Sequence, residues 1–509
     1  MKSTNVALLS LAGMLLTGIS VYSLTPSGAS IAFGGPAKAG EPVTKEAVED
    51  DKDVAQQPSS TSLGRFTSGS TIMVEGRAGH PKLLRSRTGE TFLMLEVTGA
   101  GSGSAKAAAP VNLALVIDRS GSMKGTRMQN AINAATVAVD RLNDGDVVSV
   151  VTFDTRTSVV APPSVIGPGV RERVNADIRS IGLGGDTCIS CGVEEALALL
   201  ERTTGRVNRM MLLSDGDANH GVRDVPGFRS IGERARGRGA SVTTIGVDVD
   251  YNEKILTALA QESNGRHYFV ENDAGLARIF EDEAESLLRS IASDAEAEID
   301  LGPGVELDRV LDRSFRRSGG RISVPLGTFE KGEVKTVLLK VRVPDRRDGL
   351  VKLADVRLRY RDLLADKAGE CEGKLEVELT DDAAIASDLD PAVEERVNRS
   401  ETASALKEAN FLFEQGKVGE ARRRLEDRAS GLRLAAQKAK KGAPGGKQDV
   451  VDKNFQGQIA ALDEASSGFA TPPPAAGAAV PGDPLSQQQS RQGKGAVRKN
   501  ATKAFVMGF

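Results

Sequence analysis

Hydrophobic and polar positions divide the chain into stretches of different period. Val111–Ile117 is an unbroken apolar run closed by Asp118, the pattern of a strand buried on both faces. After the turn Arg119–Gly125, Met128, Ile132, Ala135, Val139 and Leu142 recur at intervals of four and three and predict the buried face of a helix. The strand pattern returns at Asp146–Phe153, with Arg156–Ala161 expected as its antiparallel partner. Val170–Ile181 and Gly192–Arg202 then read as helices, Val207–Leu213 as a further buried strand and Val225–Arg238 as a helix. The strand Ser241–Val247, the helix Glu253–Glu262, a turn at Asn264-Gly265, the strand Arg266–Val270 and the helix Leu276–Ala292 complete the series. Strands alternating with helices across residues 111–293 predict an α/β domain built on a doubly wound, mainly parallel sheet. Ligands of such sheets sit beyond the carboxyl ends of the strands, at the point where the strand order reverses. Asp118 and Asp215 each stand at such an end.

The flanking patterns differ. Residues 71–110 hold one strand candidate, Thr91–Val97. In residues 294–382, short strands at Arg321–Val324, Lys335–Val343, Ala354–Tyr360 and Lys374–Leu379 are divided by Gly, Pro and charge. They predict a flanking antiparallel β-sandwich. The strand at Thr91 is expected to pair with it, which would make the α/β domain an insertion. Residues 388–467 turn helical, at Ala392–Asn410, Gly419–Ala439 and Val450–Ala465, and read as a packed C-terminal helical region. Residues 468–509, opened by Thr471–Pro474, are Pro/Ala/Gly/Gln-rich and read as a disordered basic tail. From Leu485 onward the tail has five bases and no acid. A solvated tail and a polyanion- or envelope-binding tail are both consistent with that composition.

At the other end, Lys2 precedes Val6–Leu24, nineteen mostly apolar residues, and no further charge appears until Lys38. Residues 1–24 read as a signal peptide or an N-terminal membrane anchor through residues 6–24. Ala29 and Ala39 suit cleavage, and no cysteine follows the run to take a lipid. Either reading places the protein outside the cytoplasm, in the periplasm, the cell envelope or on the cell surface. Residues 25–70, with Pro, Gly, Ser and an acidic cluster at Glu49–Asp53, read as a disordered linker.

Composition narrows the function classes. With 66 basic and 69 acidic residues the net charge is −3, without the positive excess that a nucleic-acid binder concentrates. Aromatic residues are only 4% and Trp is absent, which disfavours a stacking platform. The three histidines, His80, His220 and His267, are too scattered for a His-rich metal centre, and three cysteines cannot form a disulfide scaffold.

Three segments converge on the predicted sheet edge: Asp118-Arg119-Ser120-Gly121-Ser122, Gly184-Gly185-Asp186-Thr187, and Ser214-Asp215-Gly216. They offer two carboxylates, of Asp118 and Asp215, and three hydroxyls, of Ser120, Ser122 and Thr187. All-oxygen donors suit a hard divalent cation, Mg²⁺ first and then Mn²⁺ or Ca²⁺. Five protein groups leave one octahedral position open, and two carboxylates only just neutralise the ion. An Asp or Glu carboxylate of a protein ligand is the expected sixth donor.

This constellation resembles the von Willebrand factor A domain with its metal-ion-dependent adhesion site, in the exported bacterial type. Asp118, Ser120 and Ser122 meet the family's Asp-x-Ser-x-Ser motif. Thr187, five residues before a glycine at Gly192 that opens a helix, matches the family threonine. Asp215, in its Ser-Asp-Gly context, matches the family aspartate. The resemblance covers about a third of the chain. It implies that the hydroxyls coordinate directly, that one or both aspartates act through water, and that ligand engagement can shift the last helix of the domain.

Cys188-Ile189-Ser190-Cys191 follows Thr187 directly at a helix N-terminus, and three readings stand: a redox pair, a small disulfide stiffening the metal loop, or two ordinary small residues. Cys371 is expected to be buried and His220 to be an exposed loop residue. Beside Asp118 the second aspartate of an aspartyl-phosphate hydrolase is replaced by Ser120. No nucleophile elbow, zinc-protease motif or Walker loop occurs. The sequence therefore predicts a binding protein of adhesion or scaffold type and not an enzyme. The alternatives are a thiol–disulfide protein using Cys188 and Cys191, and an envelope scaffold acting through its helical region with a non-functional metal site.

Overall fold

The computed structural model describes residues 59–85, 89–101, 109–271, 275–345, 349–442, 448–469 and 484–508. The apolar run at residues 6–24 and the Thr471–Pro474 opening of the tail lie outside them. Among the described residues no helix is long and apolar enough to cross a membrane.

The central domain is laid out as β6 (Val111–Asp118), α1 (Thr126–Arg141), β7 (Val147–Phe153), β8 (Thr157–Val165), α2 (Val170–Arg179), α3 (Ile189–Leu200), β9 (Val207–Ser214), α4 (Val225–Gly237), β10 (Ala240–Val247), α5 (Glu253–Glu262), β11 (His267–Val270) and α6 (Leu276–Leu288). Its sheet runs in the order β11-β10-β9-β6-β7-β8, parallel except for β8. All eight residues of β6 are buried, because apolar layers cover both faces. One layer packs α1, α2 and α6 against Leu113, Leu115 and Ile117; the other packs α3, α4 and α5 against Ala114 and Val116. The chain leaves β6 toward β7 and later returns to β9 on the other side, so the strand order reverses between β6 and β9. Asp118 and Asp215 follow those two strands.

Of the element ends that differ from expectation, two have a visible physical cause, while β8 runs on to Val165 past the expected Ala161. Helix α3 begins at Ile189, and Gly192 lies inside it. A Cβ at Gly192 would stand 2.6 Å from the Phe153 ring and 3.1 Å from Val116 Cγ1. That glycine therefore serves the close approach of helix to sheet and not the opening of the helix. Helix α6 ends at Leu288, not Ala292. Ser290 starts a strand, β12 (Ser290–Leu301), in which Ala295, Ala297 and Ile299 point inward at period two.

The flanking β-structure is larger than predicted. It comprises β1 (Ser59–Ser62), β2 (Arg65–Gly69), β3 (Ile72–Ala78), β4 (Lys82–Leu84) and β5 (Glu90–Gly99) before the central domain. After it come β12, β13 (Glu306–Leu311), β14 (Arg316–Ser318), β15 (Arg321–Glu330), β16 (Val334–Arg342), β17 (Leu350–Asp362) and β18 (Lys367–Thr380). These strands form two six-stranded sheets, β1-β2-β3-β5-β16-β13 and β14-β15-β12-β17-β18-β4, which share one core. The α/β domain is an insertion in this sandwich. Residues 59–69, assigned to the disordered linker, are strands, and Phe66 and Ser68 on them are buried. Their mostly polar composition hides a short period-two pattern. Cys371 on β18 is buried; its thiol donates to the Ile72 carbonyl at 3.4 Å, and burial pushes its pKa up to about 12.

Four helices follow: α7 (Pro391–Glu414), α8 (Val418–Gly442), α9 (Gln448–Gly468) and α10 (Pro484–Gly508). Asp390 caps α7 by accepting from the Ala392 and Val393 amides, with Pro391 in the first turn. The four share an apolar core that includes Leu406, Leu432, Phe455 and Ala504. Helix α10 occupies most of the stretch predicted as a disordered tail, and its five bases are all paired with acids of the chain. Arg491 meets Asp248, Lys494 meets Asp250, Arg498 meets Glu253, Lys499 meets Glu271 and Lys503 meets Glu464. The acids opposite lie in the α/β domain and on α9, far off in sequence, so composition alone read this helix as a solvated tail.

His267 joins α10 to the α/β domain. It is 2% exposed, and its ring stands against Phe505 of α10 at 6.1 Å between centroids. Thr244 Oγ1 donates to the Leu256 carbonyl, so His267 Nδ1–H donates to Thr244 Oγ1 at 2.9 Å and Nε2 accepts from the Tyr251 hydroxyl at 3.2 Å. Burial, and then the charge of Arg498, push its pKa down to about 3. The folded state therefore holds the ring neutral where the unfolded chain binds a proton, and stability rises with pH from about 3 to about 6.5. Urea unfolding should show wild type losing about 2–3 kcal/mol more than His267→Gln between pH 7 and pH 4.5. Equal losses would refute the assignment.

Candidate functional site

Asp118 is fully buried at the end of β6. Its Oδ1 accepts from the Ser120 amide at 2.8 Å and its Oδ2 from Ser214 Oγ at 2.7 Å. Among the described residues no cation pairs with it. Burial pushes its carboxyl up to about 6 despite these donors, and the charge of Asp215 adds to the rise. The Ser120 and Ser122 hydroxyls are 3.0 Å apart, and Ser122 Oγ donates to Asp215 Oδ1 at 2.6 Å. Asp215 is 1% exposed and burial raises its pKa as well. Four of the five predicted residues thus form one hydrogen-bonded cluster across the ends of β6 and β9.

Thr187 arrives on the loop before α3. That loop is held against the Asp118 loop by bonds from the Gly184 amide to the Arg119 carbonyl (2.7 Å) and from the Gly121 amide to the Gly185 carbonyl (3.0 Å). The Thr187 amide donates to Asn219 Oδ1 at 2.8 Å, and its carbonyl accepts from the Asn219 and His220 amides. A Cβ on Gly216 would lie 3.5 Å from Thr187 Oγ1 and 3.6 Å from Ser122 Oγ. Both hydroxyls therefore face the same bare glycine. Cys188 and Cys191 form a disulfide directly behind Thr187, and Cys188 is 1% exposed. His220 is exposed, with Nε2 3.1 Å from Asp186 Oδ2.

Three residues of this site escaped sequence reasoning. Ser214, which in the sequence only gives Asp215 its context, donates its hydroxyl to Asp118 Oδ2. Arg127 on α1 donates to the Ser122 carbonyl at 2.9 Å and to Asp215 Oδ2 at 2.8 Å, and its other nitrogen pairs with Asp248. Asp248 also accepts from Arg491 of α10 at 2.5 Å. Burial opposes ionisation of Asp248, but Arg491, the Val249 amide and Arg127 outweigh it and hold its carboxyl below the usual range. Arg127 and Asp248 carry no motif. Only the fold brings them beside Asp215.

The donor set fits a hard divalent cation. All five groups offer oxygen, the two carboxylates use part of their acceptor capacity, and Gly216 keeps the space between Ser122 and Thr187 clear. Among the described residues no group of three or more His, Cys, Asp or Glu side chains is placed to hold a metal, so zinc-type chemistry finds no such cluster there.

Residues 112–282 match the family model of the von Willebrand factor type A domain. The central domain is a type A domain. An uncharacterized protein of Synechocystis sp. is 27% identical over 266 residues, which span 50% of this chain and 62% of that protein. The uncharacterized protein YfbK of Escherichia coli is 30% identical over 198 residues, 38% of this chain and 34% of YfbK. The chain thus covers less than two thirds of either curated relative. A solved von Willebrand factor type A protein from Catenulispora acidiphila shares the fold, with a TM-score of 0.64 at 16% identity over 81% of this chain and 91% of that one. That breadth takes in more than the type A domain, so the arrangement of insert and flanking elements is itself shared.

Proposed function

We propose that this protein binds a protein ligand through a divalent ion held by Asp118, Ser120, Ser122, Thr187 and Asp215 of its type A domain. The observation that carries the reading is the direct bond from Ser122 to Asp215 across the switch point, with Thr187 facing the same gap. Mg²⁺ is the first candidate, since the donors are compact and all oxygen, with Mn²⁺ and Ca²⁺ next. Such an ion, when bound, supplies an electrophilic position for a carboxylate. The chain's own part is to fix the hydroxyls and exclude competing bases. Arg127 neutralises the far oxygen of Asp215, so the site carries less negative charge than its two aspartates suggest, and an incoming Asp or Glu of a partner meets less repulsion.

The role is read as binding, in keeping with a sequence that holds no nucleophile elbow, zinc-protease motif or Walker loop. The Cys188–Cys191 disulfide supports a bracing part for these cysteines behind Thr187. It also fits an oxidising compartment and so, with the apolar run at residues 6–24, an exported or membrane-anchored protein of the cell envelope. Titration calorimetry of the metal-stripped full chain with Mg²⁺, Mn²⁺ and Ca²⁺ tests the reading. About one ion per chain is expected, with partner capture reversed by EDTA. A folded chain that binds none of the three would overturn it.

A further inference from the structure

At the opposite end of the parallel sheet from the metal cluster, a positive charge is buried without a partner. Arg209, near the start of β9, is 5% exposed and lines a cavity of about 210 Å³ between the sheet, the β15–β16 hairpin and the end of α10. Its guanidinium makes no hydrogen bond or ion pair within the described residues, and its Nε is sealed from solvent. A second buried donor without an acceptor, Asn264 Nδ2, lines the same cavity.

The neighbouring cations are satisfied. Arg266 donates to Glu283 Oε1 at 3.0 Å and to Glu330 Oε1 at 2.5 Å. Lys335 Nζ donates to the Leu326 and Thr328 carbonyls and stands 3.6 Å from Glu333. Arg313 Nε donates to the Thr336 carbonyl at 2.5 Å. Arg209 alone of these cations thus carries a charge that no hydrogen bond or ion pair within the described residues meets. Arginine cannot discharge it by losing a proton. The crowding is felt at Lys335: burial, offset only in part by Glu333, and then Arg313, Arg266 and Arg209 push its ammonium down to about 8.

We propose that this cavity binds a small oxyanion of the phosphate class between Arg209 and Asn264. Both orphaned groups are donors, so a ligand that only accepts matches them, and the planar fork of Arg209 suits two oxygens of one anion. The mouth of the cavity is reachable, since Val334 and Val506 on its lining are 42% and 60% exposed. A bound anion ties β9 of the type A domain to the sandwich hairpin and to α10, three parts that otherwise meet here through side chains alone.

The test is thermal unfolding of the full chain in EDTA at constant ionic strength, with chloride exchanged for about 10 mM phosphate or glycerol 3-phosphate. Wild type should gain about 1–2 °C. Arg209→Met should lose that gain. So should Asn264→Asp, which keeps a residue tolerant of the positive φ of 56° and sets a carboxylate beside the anion. A gain with phosphate alone identifies a free ion, and a gain with both identifies a terminal phosphate; each supports the site. A wild type indifferent to both anions, or a gain that persists in Asn264→Asp, would overturn it even if Arg209→Met does not fold. EDTA keeps the metal cluster out of the measurement, so its outcome is independent of the adhesion reading.

Discussion

Asp118→Asn should weaken Mg²⁺ binding by about a hundredfold or more and, in EDTA, raise the stability of the chain. Asp118 is fully buried and meets neutral donors of Ser120 and Ser214, with no cation paired to it among the described residues. A buried carboxylate without a cation is held at a cost, which the elevated pKa of about 6 expresses. An asparagine keeps the shape and can accept from the Ser120 amide while its amide group faces Ser214. Removing the charge should therefore stabilise the metal-free fold by about 1–3 kcal/mol at pH 7. The same change removes half the formal charge that offsets a divalent ion, and affinity should fall by about a hundredfold or more. The two effects have opposite signs, so urea midpoints of wild type and variant should cross as Mg²⁺ is added. Without a crossing, the burial of Asp118 would have to be explained by packing and not by a cation. Asp215→Asn is expected to weaken binding too. Its effect on stability is smaller, because Arg127 already pairs with Asp215 at 2.8 Å.

Arg396→Met is expected to be the most damaging substitution away from the Asp118–Asp215 cluster, costing about 3–5 kcal/mol. Arg396 on α7 is 2% exposed and spends its guanidinium on several elements at once. It donates to Thr336 Oγ1 of β16 at 2.5 Å, to Ser400 Oγ at 2.8 Å, to Asp312 Oδ2 at 3.1 Å and to the Gly508 carbonyl at the end of α10 at 2.8 Å. Methionine fills much of the volume but takes away the ion pair of Asp312 and frees the last turn of α10. Lysine should recover little, because one ammonium cannot reach partners spread around a planar fork. The double variant Arg396→Met/Asp312→Asn should recover part of the loss, since the stranded charge goes with it. Urea unfolding of the three variants, with amide exchange in α10 as a local readout, decides the matter. A single variant within 1 kcal/mol of wild type would refute the anchoring role.

What the hydrophobic pattern reveals depends on how far apart the interacting residues lie. Buried runs such as Val111–Ile117 and Val207–Leu213 can be recognised because burial on both faces leaves no polar alternation, and the three short motifs sit at their carboxyl ends. Helix α5 was readable to the residue, since Asn252 caps it with a bond to the Ile255 amide and its apolar spacing is regular. Strand β2 was not, because Arg65–Gly69 has one large apolar residue and draws its partners from distant strands. Arg127 sits 88 positions from Asp215, and its pairing leaves no trace in local sequence. The end of α6 was misplaced because Ser290–Ala292 suits either a helix or a strand until β15 and β17 are there to pair with it.

The sequence by itself determined the alternating α/β order, the parallel sheet with its switch point, and the five oxygen-bearing residues proposed to hold an ion. These follow from local periodicity and from motifs whose members lie within a few residues. Tertiary structure alone decided that the flanking sheets take nearly half their strands from before the insert, and that the basic stretch after Leu485 is a docked helix. It alone set Arg127 against Asp215 and left Arg209 without a hydrogen bond or ion pair among the described residues. In each of these cases the deciding term is a pairing of charges or strands across long separations, and no local pattern encodes which distant partner a residue will meet.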